Sequence, residues 1–400
     1  MAINETNYQP QKLTPALLTG LALLSASGPF ATDMYLAALP RVVDDLSTTA
    51  TMVQLTLSGF MVGMAIGQLV IGGLSDSLGR RGLMIGGAVL ALAASIVCAM
   101  TPSIGILIAA RLVQGLGSGA CVVLARTVIP DLAKGVAAAK AFTLMMIIQG
   151  IAPVLAPVLG ALLVEPIGWR GIFWVLSGIC ALQLLVAVFQ VKESHPKHLR
   201  EGASFSNTLR GYPFVLKNRG FVGYGIAFSF IFAVMFSYIS ASPFVIQQQL
   251  GFSPTMYSVI FAVNALGMMA MGAVNNRLMD RHTPEQIIKV AIVVIGVAVV
   301  LLALAAQFAL TPWLVLPALF LVVAPMPMVM GNATALATGL VRERAGAGSA
   351  VLGFTQFLLA AIVSPLVGID ANHAVSMSVC MIVAFVIAAV GLVVALKSTR

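Results

Sequence analysis

Apolar residues run along this chain in blocks of about twenty, broken by short polar turns, and that repeat dominates the sequence. Twenty helical residues at 1.5 Å each cover about 30 Å, the thickness of a bilayer's hydrocarbon core. Reading blocks against breaks predicts twelve membrane-spanning helices, at roughly 16–38, 52–73, 82–100, 104–128, 138–163, 169–191, 219–245, 254–277, 285–306, 312–338, 345–368 and 374–396. An outer-membrane barrel would show alternating segments of roughly ten residues instead. The connections are short except for 192–218, the longest polar stretch, which lies near the midpoint. The pattern therefore predicts an all-α membrane protein of two six-helix halves, 1–191 and 219–400, joined by a cytoplasmic central loop at 192–218. The first block is about 22 residues long, carries Asp33 and lacks a small-x-small cleavage site, so it reads as mature structure rather than a signal peptide.

Composition narrows the class further. Of 400 residues, 60% are hydrophobic and 9% charged, with a mean hydropathy of +1.03, whereas soluble domains carry about 25% charged residues. A water-soluble, disordered or collagen-like chain is excluded. The four cysteines (Cys98, Cys121, Cys180, Cys380) sit inside apolar runs without a CxxC pair, as small packing residues do. His195, His198, His282 and His373 fall in polar connections, and no HExxH is present. Neither a metal nor an organic cofactor is expected.

The formal charge of +9 is a topology signal. With the N-terminus in the cytoplasm, every Lys and Arg but three lies at a cytoplasmic helix end; Arg41 and Arg170 lie outside and Arg111 within a span. Both termini are thus expected inside. The basic residues of the central loop are few, spread out and free of interleaved aromatics, which argues against nucleic acid as a partner.

Ionisable residues inside a span are costly, about 2.5–3.5 kcal/mol for Asp or Arg at a helix centre. Two stand well inside: Asp33 in the first span and Arg111 in the fourth. Counting 1.5 Å per residue puts both at a similar depth in the outer half, where a carboxylate and a guanidinium can offset each other's desolvation. Asp33 could instead cap the outer end of its helix, and Arg111 could snorkel to the surface. The functional reading makes Asp33 a titratable site that Arg111 modulates.

The uncharged polar residues of the spans (Gln54, Ser58, Gln68, Gln114, Gln149, Tyr238, Asn264, Asn332 and Gln356) serve either helix–helix hydrogen bonds, their commoner role, or ligand contact. Gln114 stands three residues after Arg111, on the same helix face. With twenty Met and twenty Phe to build an adaptable apolar wall, the candidate cavity residues are Phe30, Tyr35, Gln54, Ser58, Met61, Met146, Phe232, Met235, Tyr238 and Asn264. The fifth span carries Gly150, Pro153, Pro157 and Gly160, and two prolines four apart should kink it.

These motifs resemble the major facilitator superfamily. Gly72-Gly-Leu-Ser-Asp76-Ser-Leu-Gly79-Arg80-Arg81 is similar to the superfamily's signature after helix 2, with Ser77 where a basic residue is usual. Arg111-Leu-Val-Gln114-Gly115 resembles the helix 4 signature associated with proton coupling. The glycine and proline run of the fifth span resembles the antiporter signature, with Ala152-Pro153 in place of the usual Gly-Pro. Gly168-Trp169-Arg170 is also common in the superfamily. Thr32-Asp33-Met34-Tyr35-Leu36, Leu39-Pro40, Ser242-Pro243-Phe244 and Gly346-Ala-Gly348-Ser349-Ala350 are similar to the bicyclomycin/chloramphenicol-resistance branch of the twelve-helix drug:proton antiporters.

The resemblance covers essentially the whole chain. It implies an alternating-access exporter of small amphipathic drugs such as chloramphenicol-like compounds, driven by protons and working as a monomer in the bacterial cytoplasmic membrane. Asp33 and Arg111 would couple the proton, and Asp76, Arg80 and Arg81 would latch a cytoplasmic gate. An importer of a small solute with the same fold is the alternative; it predicts a cavity richer in polar and charged groups. An intramembrane enzyme is disfavoured, because an aspartyl protease needs two membrane Asp residues and a serine or metal mechanism an intramembrane His. No GxxxxGK[ST] loop is present for ATP.

Overall fold

The computed structural model describes the backbone of residues 11–133, 135–196, 200, 212–308 and 310–398, and the side chains of these apart from those at 135, 136, 139, 143, 146–149 and 345. Among the described residues every regular element is helical. In chain order the principal helices are α1 (Pro15–Ser25), α2 (Ser27–Leu36), α3 (Leu39–Asp45), α4 (Ala50–Ile66), α5 (Gly72–Leu78), α6 (Arg80–Met100), α7 (Ile104–Leu132), α8 (Gly135–Phe189), α9 (Arg219–Pro243), α10 (Pro254–Leu278), α11 (Pro284–Phe308), α12 (Pro312–Val323), α13 (Met326–Leu340), α14 (Ala345–Leu366) and α15 (His373–Ser398). Among the described residues ten helical segments are long and apolar enough to cross a membrane, and counting the bent pair α1–α2 as one span makes eleven.

Proline and glycine set the departures from straight helix. Pro29 has no N–H and its ring clashes with the carbonyl four residues back, so the expected first span breaks at Ala26 and α2 leaves α1 at 48°. The expected fifth and sixth spans run on as the single segment α8, interrupted at Gly168, whose φ of +66° suits a residue without Cβ. Among the described residues two π-helical turns interrupt the regular ladder. Gly67–Ile71 joins α4 to α5, and Phe244–Gln249 extends α9.

The outward faces are apolar. On α11, Val290, Val293 and Val297 are 66%, 64% and 57% exposed, while Ile288, Ala291, Ile295 and Ala298 of the same helix are buried. Both faces of such a helix are hydrocarbon, which is stable only where lipid replaces water. The chain is a multi-pass membrane protein.

The bundle has two ends, named here by residues they carry. Arg80 lies at one, with the C-terminus of α7 and the N-terminus of α9; Asp45 lies at the other, with the N-terminus of α4 and the C-terminus of α14. Side-chain hydrogen bonds that join helices before residue 191 to helices after residue 219 cluster toward the Asp45 end. Thr51 donates to the Gly368 carbonyl at 2.7 Å, Gln54 to the Ser240 carbonyl at 3.2 Å, Ser58 to the Ala361 carbonyl at 2.7 Å, and Ser364 to the Gln54 carbonyl at 3.1 Å. Gln247, in the second π turn, donates to the Ala37 carbonyl at 3.3 Å. The two sets of helices are thus tied at that end.

Candidate functional site

A cavity of about 600 Å³ lies between the two sets of helices. It reaches from the level of Asp33 toward the Arg80 end, where Gln68 and Arg126 border it, and Ser25, Thr32 and Gln356 also line it. Much of the remaining wall is thioether and aromatic ring. Met61, Met64, Met235, Met268, Met269 and Met330 stand beside Phe232, Phe236, Phe261 and Phe357. Met and Phe present polarizable, deformable surface without fixed hydrogen-bonding demands, which suits ligands of varied shape.

Asp33 is set into this wall, 6% exposed. The Thr32 hydroxyl, whose single proton also has the Gly28 carbonyl within reach, donates to Asp33 Oδ1 at 2.9 Å. Among the described residues no cation pairs with this carboxyl. A carboxylate so placed favours a ligand that offers a hydrogen-bond donor or a positive charge.

Arg111 is fully buried but points elsewhere, and the expected Asp33–Arg111 ion pair is not formed. Its Nη1 donates to the Ala31 carbonyl at 2.9 Å and to Gln114 Oε1 at 2.6 Å. The guanidinium carbon sits 4.4 Å from the Phe60 ring centre, 5.4 Å from Tyr35 and 5.7 Å from Phe173. Desolvated cation–π contacts are worth about 2 kcal/mol, so rings take the place that a carboxylate would fill. Gln114 passes the chain of bonds on, its Nε2 donating to Ser95 Oγ at 2.7 Å. Depth along two helices agrees for Asp33 and Arg111, but the faces they occupy differ.

The other candidates divide. Met61, Phe232, Met235, Tyr238 and Asn264 border the cavity, as do Gly150 and Pro153. Gln54 and Ser58 are corrected from the cavity wall to the ties between helices described above. Tyr35 is likewise corrected, lying fully buried beneath Arg111, and Phe30 packs against the core. The side chain of Met146 lies outside the described residues. Pro157 lends its carbonyl to Ser258 Oγ at 2.8 Å. Gly115 and Gly160 allow backbones to touch, since a Cβ at either would collide with the carbonyl of Phe60 or Met34 respectively. Arg126 is a cavity residue that its place near the end of a span concealed.

At the Arg80 end the motif residues form a cluster. Gly79, at φ +95°, turns the chain from α5 into α6, and Gly72 packs beside Val123. Arg80 Nη1 pairs with Asp76 at 2.7 Å and its Nε with Asp131 Oδ2 at 3.2 Å, and its guanidinium also bonds Ser75. The Glu193 carboxylate accepts from the backbone N–H of Arg80 at 2.9 Å and of Arg81 at 3.3 Å, capping the N-terminus of α6 where the helix dipole favours negative charge. Arg81 Nη2 donates to the Val188 carbonyl at 2.8 Å, and Ser194 to Asp131 at 2.7 Å. Asp131, Glu193 and Ser194 complete this cluster from outside the motif itself. Among the described residues no group of three or more His, Cys, Asp or Glu could hold a metal ion.

Long apolar helices around a ligand-sized cavity with a buried carboxyl define a membrane transport protein. The chain belongs to the Major Facilitator Superfamily, whose family profile matches residues 21–365. It is 36% identical over 380 residues to the uncharacterized MFS-type transporter YdgK of Bacillus subtilis (strain 168), covering 94% of each chain. It is 30% identical over 344 residues to the multidrug resistance protein MdtL of Klebsiella pneumoniae (strain 342), 86% of each. Against the bicyclomycin resistance protein homolog of Haemophilus influenzae the figures are 29% over 357 residues, 89% of this chain and 90% of that one. Among solved structures, a POT family transporter in complex with 5-aminolevulinic acid superposes with a TM-score of 0.77 at 14% identity, covering 98% and 99% of the two chains. A D-xylose-proton symporter gives 0.69 at 16%, covering 94% and 97%. At those identities the fold alone is shared.

Proposed function

We propose that this transporter is a proton-coupled exporter of small amphipathic drugs, chloramphenicol-like compounds among them, acting in the bacterial cytoplasmic membrane. The observation that carries the reading is Asp33, a carboxyl without a cationic partner among the described residues, set in a Met- and Phe-rich cavity. Relatives named for multidrug and bicyclomycin resistance support it. The importer reading expects more polar groups than this wall carries.

In the proposed cycle the Arg80 end faces the cytoplasm, as do both termini, and twelve spans divide into halves at 1–191 and 219–400 around the loop 192–218. Drug enters the cavity from the cytoplasm or inner leaflet while Asp33 is deprotonated. The halves then rock, separating at the Asp45 end and closing at the Arg80 end. Protonation of Asp33 from outside favours drug release, and the protonated carrier returns. One proton crossing 100 mV supplies about 2.3 kcal/mol and one pH unit about 1.4 kcal/mol, together enough for a gradient of a neutral drug of about 500-fold. Arg111 holds the helix that carries Asp33, and no cofactor takes part.

The test is proton release on adding drug to detergent-solubilised protein in weak buffer, wild type beside Asp33→Asn. Release from wild type alone is expected. Release from both moves the proton site away from Asp33, and release from neither with cationic and neutral drugs alike overturns the antiport reading.

A further inference from the structure

Tyr238 and Asn264 stand out within the cavity wall because together they fix a polar group in a wall built mostly of Met and Phe. Tyr238 belongs to α9 and is 2% exposed; Asn264 belongs to α10 and is 3% exposed. Asn264 Nδ2 donates to the Tyr238 phenol oxygen at 2.8 Å. Phe261, one turn before Asn264 on the same face of α10, stacks on the Tyr238 ring with centres 5.5 Å apart and planes 19° from parallel. Ring and hydroxyl are therefore clamped from one helix, and the phenol has one orientation.

A tyrosine hydroxyl has one proton to give and two lone pairs to share. The Asn264 amide takes a lone pair and leaves the proton over. Among the described residues no acceptor receives that O–H, although the residue is buried and borders the cavity. A buried donor without a partner is unfavourable, because it has lost its bond to water and gained none in return. Phe261 and Asn264 would not hold the group so firmly for packing alone, because Phe at 238 would stack as well without the penalty. Asp33 faces the same cavity and supplies an acceptor there. The wall thus offers a fixed donor and a carboxyl set among rings and thioethers.

We infer that Tyr238 is a specificity-determining residue whose O–H, positioned by Asn264, donates to an oxygen acceptor on the transported molecule. The substrate class is then an amphipathic compound with an aromatic or aliphatic body and a carbonyl, nitro or ether oxygen. The inference rests on the drug-export reading and adds to it which part of a drug is read, and by which residue. Cations without an acceptor bind by the rings and Asp33 and do not use the phenol.

The experiment measures binding of two probes to the full-length protein in detergent: chloramphenicol, neutral and rich in oxygen acceptors, and tetraphenylphosphonium, a cation with none. Tyr238→Phe is expected to weaken chloramphenicol about fivefold to tenfold, the range of one net hydrogen bond, and to leave tetraphenylphosphonium within about twofold, which also verifies folding. Asn264→Leu is expected to weaken chloramphenicol by a smaller factor, and to add nothing in the Tyr238→Phe background, since it acts through the phenol. Equal weakening of both probes by Tyr238→Phe would make the residue a packing element and overturn the inference. So would unchanged chloramphenicol affinity in that variant, or full additivity of the pair. Wild-type protein that binds neither probe overturns the drug-export reading itself, a result distinguishable from those three.

Discussion

Arg111 donates to the carbonyl of Ala31, two residues before Asp33 on the same helix, at 2.9 Å. The guanidinium thus grips the backbone of α2 from behind while Asp33 faces the cavity on the other side. Its influence on the carboxyl runs through the position of a helix rather than through a salt bridge. That geometry needs a planar head able to bond at its edge and present its face to rings at once, and an ammonium is a compact point charge that cannot do both. Arg111→Lys keeps the charge and is expected to reduce transport at least about tenfold, the effect of roughly 1.4 kcal/mol, and to lower thermal stability in detergent. Transport in Arg111→Lys within twofold of wild type would show that charge alone suffices.

Much of this arrangement is legible from sequence, and the limit has a clear physical form. Residue counting gives depth in the membrane, so Asp33 and Arg111 stand out as inner charges at one level. It does not give azimuth, because the direction a side chain takes depends on how each helix is rotated and bent, and Pro29 bends the first span by 48° just before Asp33. Hence Gln54 and Ser58, at plausible cavity depth, prove to tie helices together, while Tyr238 and Asn264 border the cavity. Arg126 shows the converse error: its position near a helix end reads as a topology charge, yet the cavity extends far enough to include it. Asp76 is expected beside Arg80 from the motif and pairs with it, whereas two further acidic residues at Arg80 are hidden for another reason. Asp131 comes from the end of α7 and Glu193 from the segment after α8, and only tertiary packing brings them to the motif.

Glycines of α8 test packing against cavity shape on one helix. A Cβ at Gly160 would strike the Met34 carbonyl, a backbone atom that cannot rotate away, whereas among the described residues nothing lies within 4 Å of a Cβ at Gly150. Gly160→Ala is therefore expected to destabilise the protein by at least about 1–3 kcal/mol, as overpacking does, with loss of yield and a lower melting temperature. Gly150→Ala should fold normally and change only which molecules are accepted, since the site borders the cavity. Equal melting temperatures for the two variants would contradict the close approach of α2 and α8.

At the Asp45 end, the Asp45 carboxylate accepts from the Trp169 indole at 2.8 Å and from Arg170, whose guanidinium lies 4.2 Å over the same indole. These bonds, first that from Trp169 and then that from Arg170, hold the Asp45 carboxyl below its ordinary range. Because the folded value is depressed, the tie is fully present above the usual carboxylate value of about 3.9 and is lost as pH falls through the lower, folded one. Tryptophan emission is expected to stay flat from pH 7 to about 5 and to shift only below about 4, with that acid shift absent in Asp45→Asn. A midpoint above about 5 that disappears in Asp45→Asn would mean the carboxyl is not stabilised by these donors.

Closure at the Asp45 end depends on polar groups that meet in a dry interface. Ser364 Oγ donates to the Gln54 carbonyl at 3.1 Å and lies 2.8 Å from Ser240 Oγ, and Gln54 Nε2 reaches the Ser240 carbonyl at 3.2 Å. All three residues are buried, and they come from α4, α9 and α14. Buried interhelical hydrogen bonds in membranes average about 0.6 kcal/mol and reach about 1.7 kcal/mol. In the proposed cycle these bonds break each time the Asp45 end opens, so modest strength suits them: a stronger tie would trap the closed state. Ser364→Ala removes the donor and leaves the shape intact, and is expected to favour the state open at the Asp45 end by about threefold, the average bond converted to a population ratio. Spin labels at the exposed positions Asp44 and Asp370 would report a larger long-distance fraction in the variant than in the labelled parent. Unchanged distance distributions would mean that apolar packing alone closes this end, and a shift toward the short distance would reverse the assignment.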